Sequence, residues 1–113
     1  MIVDDHPDMR RTLRTIVASA SADDTEFVEC SDGVEAVQQF PIHRPDRIVM
    51  DVQLKTMDGF TAAEKIFELD PTAQIIFVTG FPSAGARKRA EQLRARGFVS
   101  KDNLMELNAL IIA

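Results

Sequence analysis

Five short apolar runs alternate with five stretches of helical periodicity, and that alternation limits the chain to very few folds. The runs are residues 1–4, 26–30, 47–51, 74–79 and 97–100. Ile48-Val49-Met50 and Ile75-Ile76-Phe77-Val78 are continuous bulky or β-branched segments without polar alternation. That is the pattern of strands covered on both faces. Between the runs, Pro7 stands where a first helical residue would be, since its missing N–H costs nothing there. Met9, Leu13, Ile16, Val17 and Ala20 then form one stripe. Asp32-Gly33-Val34-Glu35 reads as a capping box opening a helix through Val34, Val37 and Phe40. A third helix carries Phe60, Ala63, Ile66 and Phe67 and stops at Asp70-Pro71. A fourth, basic helix ends before Gly97, and a fifth, opened by Asp102 or Asn103, carries Leu104, Leu107 and Ile111.

Strict β-α alternation with short connections implies a parallel sheet with helices on both faces. Right-handed crossovers make a doubly wound five-stranded sheet of order 2-1-3-4-5 the economical arrangement. The 113 residues suit one domain, and no apolar stretch is long enough for a membrane span or a signal-peptide core. A lone Cys30 has no internal disulfide partner and fits a reduced, cytoplasmic setting. With 18 acidic against 13 basic residues and a net charge of -5, nucleic acid is not an expected ligand. The local exception is Arg87-Lys88-Arg89 with Arg94 and Arg96, interleaved with Ala86, Ala90, Leu93 and Ala95. It reads first as the solvated face of the fourth helix, and second as a docking surface for an acidic partner.

Ligands of such sheets gather outside the carboxyl ends of the strands. Those ends carry Asp4-Asp5, Asp51, Thr79 and Ser100-Lys101. Singly, each has a bland reading as turn residue, β-former or surface solubiliser. In the order 2-1-3-4-5 they converge on one shallow pocket. Two of its carboxylates would repel by about 4 kcal/mol at roughly 4 Å with an effective dielectric near 20, so a proton or a cation must sit among them. Hard oxygen donors without clustered His or Cys suit Mg²⁺. Lys101 and Thr79 offer a phosphoryl group a point charge and a hydroxyl. Between metal and phosphate, Asp51 is placed to act as a nucleophile toward phosphorus, giving an acyl phosphate.

These residues, in this order, resemble the receiver domain of bacterial two-component response regulators over essentially the whole chain. The resemblance rests on Asp4-Asp5, Asp51, Met57-Asp58-Gly59, Thr79-Gly80 and Gly97-Phe98-Val99-Ser100-Lys101. It implies a flavodoxin-like (βα)5 fold and transfer of a phosphoryl group to Asp51 from a sensor histidine kinase or phosphotransfer protein. The domain would be a phosphoacceptor rather than an enzyme with external turnover. By the same resemblance Asp5, Asp51 and the main-chain carbonyl of Gln53 bind Mg²⁺, with Asp4 helping through water. Thr79 and Phe98 are the implied switch pair. The surface expected to respond is the fourth helix, fifth strand and last helix, where an output domain, a partner or a second copy would dock.

The sequence departs from the family at Leu54-Lys55, where many relatives have Met-Pro, and at Asp102, where Pro is common. Phe98 replaces the more frequent Tyr, so its switching would work by packing alone. Asp4-Asp5-His6-Pro7 and Lys101-Asp102 are similar to receivers preceding LuxR-type helix-turn-helix domains; a DNA-binding output, an enzymatic output and a stand-alone regulator are all compatible with these residues. Both ends read as clipped, at the short first run and at Leu110-Ile111-Ile112-Ala113. Gln53 and Phe81, two residues beyond Asp51 and Thr79, are expected to tune the lifetime of the phosphoryl group. His6 reads as flanking the first helix rather than as a ligand, His43 as exposed in the 41–45 connection, and Cys30, Met50 and Met57 as packing residues. One rival function is a Mg²⁺-dependent phosphohydrolase of the haloacid-dehalogenase type, which wants an acid where Gln53 stands. The other is a receiver that acts only as an interaction module, against which the complete set Asp5, Asp51, Thr79 and Lys101 argues.

Overall fold

The computed structural model describes residues 1–112. Ala113, named above with Leu110-Ile111-Ile112, lies outside the described residues. The chain runs β1 (Ile2–Val3), α1 (Pro7–Ser19), β2 (Glu29–Cys30), α2 (Gly33–His43), β3 (Ile48–Asp51), α3 (Gly59–Leu69), β4 (Ile75–Thr79), α4 (Ala84–Gln92) and β5 (Gly97–Ser100). A 3₁₀ turn, Lys101–Glu106, leads into α5 (Leu107–Ile112). All strand pairs are parallel and the order is β2-β1-β3-β4-β5, as the alternation implied.

Two apolar layers sandwich the sheet because successive strand residues point to opposite faces. Val3, Ile48, Met50, Ile75 and Phe77 pack under α2, α3 and α4 with Phe40, Ala63, Ile66 and Ala90. Ile2, Val49, Ile76, Val78 and Val99 pack under α1 and α5 with Leu13, Val17 and Leu107. Phe60 meets Phe77 edge to face, with ring centroids 4.8 Å apart, a favoured aromatic geometry. Cys30 is buried in the first layer. Burial there pushes its thiol up to about 11, so it stays an unreactive packing group.

Several boundaries differ from the sequence reading. β2 is only two residues long, and Phe27 and Val28 lead into it half-buried, Val28 bonding to β1 only through its carbonyl, which accepts from Ile2 N at 2.8 Å. α2 runs on through Pro41 to His43, so His43 ends a helix instead of lying in a loop, although it is exposed as expected. Val34 is 38% exposed, and Gly33, Ala36 and Phe40 form the buried face of α2. α4 stops at Gln92, and Arg94 takes a left-handed φ of 60°. Arg94 and Arg96 therefore do not extend the helix's basic face. Arg96 Nε instead donates to the Leu110 carbonyl at 2.7 Å, tying the start of β5 to α5. The last helix is split because Asn103 has non-helical φ and ψ inside the 3₁₀ turn.

α3 starts almost on top of the end of β3. Gly59 N donates to the Val52 carbonyl at 2.8 Å. A Cβ on Gly59 would lie 2.1 Å from the Asp51 carbonyl oxygen. That neighbour is backbone in a central strand and cannot yield cheaply. Gly59→Ala is expected to cost about 2 kcal/mol, within the range for overpacked sites, read as a lower urea midpoint at unchanged m-value.

Candidate phosphoacceptor site

Each strand end delivers one polar side chain to the same edge of the sheet. Asp4, Asp51 and Thr79 are the buried polar residues among those described, at 0%, 2% and 0% exposure. Burying such groups is costly unless they are partnered. Asp4 is fixed by the turn into α1, where its Oδ1 accepts from His6 N at 2.9 Å and Arg10 Nη1 donates to its carbonyl at 2.7 Å. Asp51 Oδ1 accepts from Gln53 N at 3.1 Å in the turn leaving β3. Lys101, at the start of the 3₁₀ turn, is aimed by Ser100, whose Oγ accepts from Asp102 N at 3.1 Å. Its Nζ bridges the two buried carboxylates, 3.1 Å from Asp51 Oδ2 and 3.2 Å from Asp4 Oδ2.

The bridge does not neutralise the pocket. Burial, then the Asp4 carboxylate, raises the pKa of Asp51, and the Lys101 ammonium and the Gln53 N–H only partly oppose this. Burial works against the charged form of Lys101, yet the attraction of Asp51 and Asp4 outweighs it and raises its pKa. Asp5 adds a third carboxylate, and its buried Oδ1 accepts no hydrogen bond. One ligand atom from each of Asp4, Asp5, His6 and Asp51 can be chosen so that all lie within 4.8 Å of one another. Excess negative charge, hard oxygen donors and an unpartnered buried carboxylate oxygen fit a divalent cation.

Thr79 Oγ1 accepts from Phe81 N at 3.0 Å and donates to Gln53 Oε1 at 3.3 Å. That second contact is long for an O–H donor and easily exchanged. Gln53 thus spans from the Asp51 turn to the Thr79 hydroxyl, while Phe81, whose backbone N donates to that hydroxyl, is 75% exposed. Phe98, on β5, is half-buried with the Arg87 guanidinium 4.9 Å from its ring centroid.

The structure therefore brings together Asp4, Asp5, Asp51, Thr79, Lys101 and Gln53 and sets Phe81 at the rim, while Phe98 lies apart on the α4 side. The sequence reading missed the parts played by three residues. His6 does flank α1, as its N-cap, but its ring turns toward the carboxylates, with Nδ1 3.0 Å from Asp5 Oδ1. Arg10 holds the Asp4 backbone, and Arg87 covers Phe98. Adjacency to Asp4-Asp5 was a signal for His6; nothing in the spacing announced the other two.

Over residues 1–112 the chain matches the family model described as "Response regulator receiver domain". It belongs to that family and hence to two-component signalling. The chain is 34% identical over 104 residues to the chemotaxis protein CheY of Halobacterium salinarum, covering 89% of this chain and 82% of that protein. It is 39% identical over 103 residues to protein-glutamate methylesterase/protein-glutamine glutaminase 1 of Methanosarcina mazei, covering 89% of this chain but 28% of that longer protein. Among solved structures, the CheX-CheY-BeF3-Mg+2 complex from Borrelia burgdorferi matches with a TM-score of 0.87 at 25% identity, covering 98% of this chain and 84% of that one. No helix among the described residues is long and apolar enough to cross a membrane.

Proposed function

We propose that Asp51 accepts a phosphoryl group from a phosphohistidine on a sensor histidine kinase or phosphotransfer protein. The face formed by α4, β5 and α5 then changes to control an output domain or partner. The observation that carries this reading is the single edge where buried Asp51 and Asp4 share the Lys101 ammonium, with Thr79 and the Asp5 carboxylate, whose Oδ1 accepts no hydrogen bond, alongside. In the transfer, a carboxylate oxygen of Asp51 bonds to phosphorus as the donor's P–N bond breaks, its electron pair returning to the imidazole. Lys101 follows the developing charge from Asp51 onto the phosphoryl oxygens. The Thr79 hydroxyl leaves Gln53 Oε1 and donates to the new group, and Phe98 moves inward into the space so released.

Asp5, Asp51 and the Gln53 carbonyl would hold Mg²⁺, with Asp4 assisting through water. When bound, the ion supplies charge stabilisation to the phosphoryl oxygens. Support comes from the oxygen donor set and from the Borrelia burgdorferi relative, whose complex contains BeF3 and Mg+2. A cytoplasmic location belongs to this reading. So does an output that is a further domain, DNA-binding if the LuxR-type hint holds, or a separate protein, with a second copy of the chain as another docking partner. The acidic domain itself would bind neither nucleic acid nor membrane. The test is incubation with Mg²⁺ and a small phosphodonor. An acid-stable, base-labile adduct is expected, and its absence from the parent protein would leave the chain an interaction module only.

The lifetime of the adduct is expected to depend on Gln53 and Phe81. Gln53 Oε1 accepts from the Thr79 hydroxyl, whose oxygen in turn accepts from Phe81 N, and Phe81 is exposed to solvent. Removing both side chains in Gln53→Ala/Phe81→Ala should open the approach of water and shorten the lifetime several-fold, as measured by release of inorganic phosphate. An unchanged release rate would end that assignment.

A further inference from the structure

Histidine is an unusual helix N-cap, a position that favours short side chains whose oxygen can accept from the first turn. His6 occupies the N-cap of α1, and its side chain makes no capping hydrogen bond. The ring is instead directed back over the site, with Nδ1 3.0 Å from Asp5 Oδ1 and 3.4 Å from Asp4 Oδ1. The backbone holds it there, because His6 N donates to Asp4 Oδ1 at 2.9 Å. Lys101 engages the Oδ2 atoms of Asp4 and Asp51, which leaves the Oδ1 side of the pocket to His6 and Asp5. On that side the Asp5 carboxylate is only 10% exposed. Its Oδ1 has no hydrogen-bond partner, because the nearby ring nitrogen approaches without hydrogen-bond geometry.

We propose that His6 is a nitrogen ligand of the divalent-cation site, so that the site favours Mn²⁺ and Co²⁺ over Mg²⁺ more than a carboxylate-only site would. The inference rests on the proposed cation site and adds one donor to it. One ligand atom each from Asp4, Asp5, His6 and Asp51 lies within 4.8 Å of the others, so a single ion can reach all four groups after small side-chain adjustments. The ring is free to make its adjustment, since it is 72% exposed. Mg²⁺ takes oxygen ligands at short distance and keeps its waters, whereas imidazole suits the later divalent metals of the first row. Replacing one water or carboxylate oxygen by an imidazole nitrogen therefore shifts the preference without dismantling the site. His43, the other histidine, ends α2 with Nε2 3.0 Å from Gln39 Oε1, and serves as a control.

The experiment compares the wild type, His6→Ala, His43→Ala and Asp5→Ala by calorimetric titration with Mg²⁺ and with Co²⁺. Electron spin echo spectroscopy of bound Mn²⁺ reports directly on coordinated nitrogen. His6 is exposed and its ring caps nothing, so the variant should fold. The expected result is an imidazole nitrogen signal that His6→Ala loses and His43→Ala keeps. The ratio of Co²⁺ to Mg²⁺ affinity should fall about ten-fold in His6→Ala alone. If all the proteins except Asp5→Ala bind Mg²⁺ and Co²⁺ in the same ratio without a nitrogen signal, His6 is not a ligand and the carboxylate site stands. If the wild type binds no divalent cation, the underlying site reading fails together with this one.

Discussion

Asp51→Asn is expected to abolish the base-labile phosphoryl adduct and, with divalent cations chelated, to make the fold more stable. The first effect follows from loss of the nucleophile, since an amide in the same place has no carboxylate oxygen to bond to phosphorus. The second follows from the pocket's unbalanced charge. Burial and the Asp4 carboxylate raise the pKa of Asp51 above its ordinary 3.8, so the folded chain holds that proton more tightly than the unfolded chain does. Between the ordinary and the raised value the native state binds more protons. Stability therefore falls as pH rises through that window and remains lower at neutral pH. The amide of the variant has no such proton to lose, and Lys101 would keep its contact with Asp4 at 3.2 Å. A gain in stability at neutral pH, read from urea unfolding in EDTA across pH, is expected because the amide removes a buried charge that Lys101 only partly compensates. Identical pH profiles for the two proteins would refute the charge-strain account of the pocket even if the adduct disappeared.

That strained pocket was largely readable from the sequence because topology does most of the work. Once Ile48-Val49-Met50 and Ile75-Ile76-Phe77-Val78 are taken as central parallel strands, Asp51 and Thr79 must emerge at the same edge. Register then pairs Asp51 with Val78 and Thr79 with Ser100. Directions of side chains outside the strands were not readable. Arg96 matched a helical stripe by spacing, but Arg94 turns left-handed before it and Arg96 bonds to a carbonyl fourteen residues onward. The direction of the His6 ring is equally hidden, because chain position alone cannot tell a capping ring from one folded back on its neighbours. Pro41 failed to end α2 for a related reason. A helix already packed through Ala36 and Phe40 tolerates one missing hydrogen bond near its end. The Arg87–Phe98 stack joins residues eleven apart across a loop and could not be found from either alone.

Lys101→Met should produce the second large effect, in both chemistry and stability. Methionine keeps an unbranched apolar stem of similar reach but removes the ammonium from between Asp51 Oδ2 and Asp4 Oδ2. Lys101 is 19% exposed and its carboxylate partners are almost fully buried, so the loss falls largely on uncompensated buried charge. Removing one partner of such a group costs about 3 kcal/mol, unless one carboxyl takes up a proton instead. In the wild type the raised pKa of Lys101 keeps this contribution intact below the ordinary value of 10.5, and it is lost only as pH climbs through the raised value. Unfolding in EDTA at neutral pH should therefore show the full deficit. Saturating Mg²⁺ should recover more stability for the variant than for the wild type, because the ion meets carboxylates with no competing ammonium. Phosphorylation by a small donor should slow about 100-fold, the usual cost of deleting one preorganised charge at a reacting centre. A variant as stable as the wild type in EDTA would mean that the carboxylates already share a proton. A variant phosphorylated at the parent rate would remove Lys101 from the proposed chemistry.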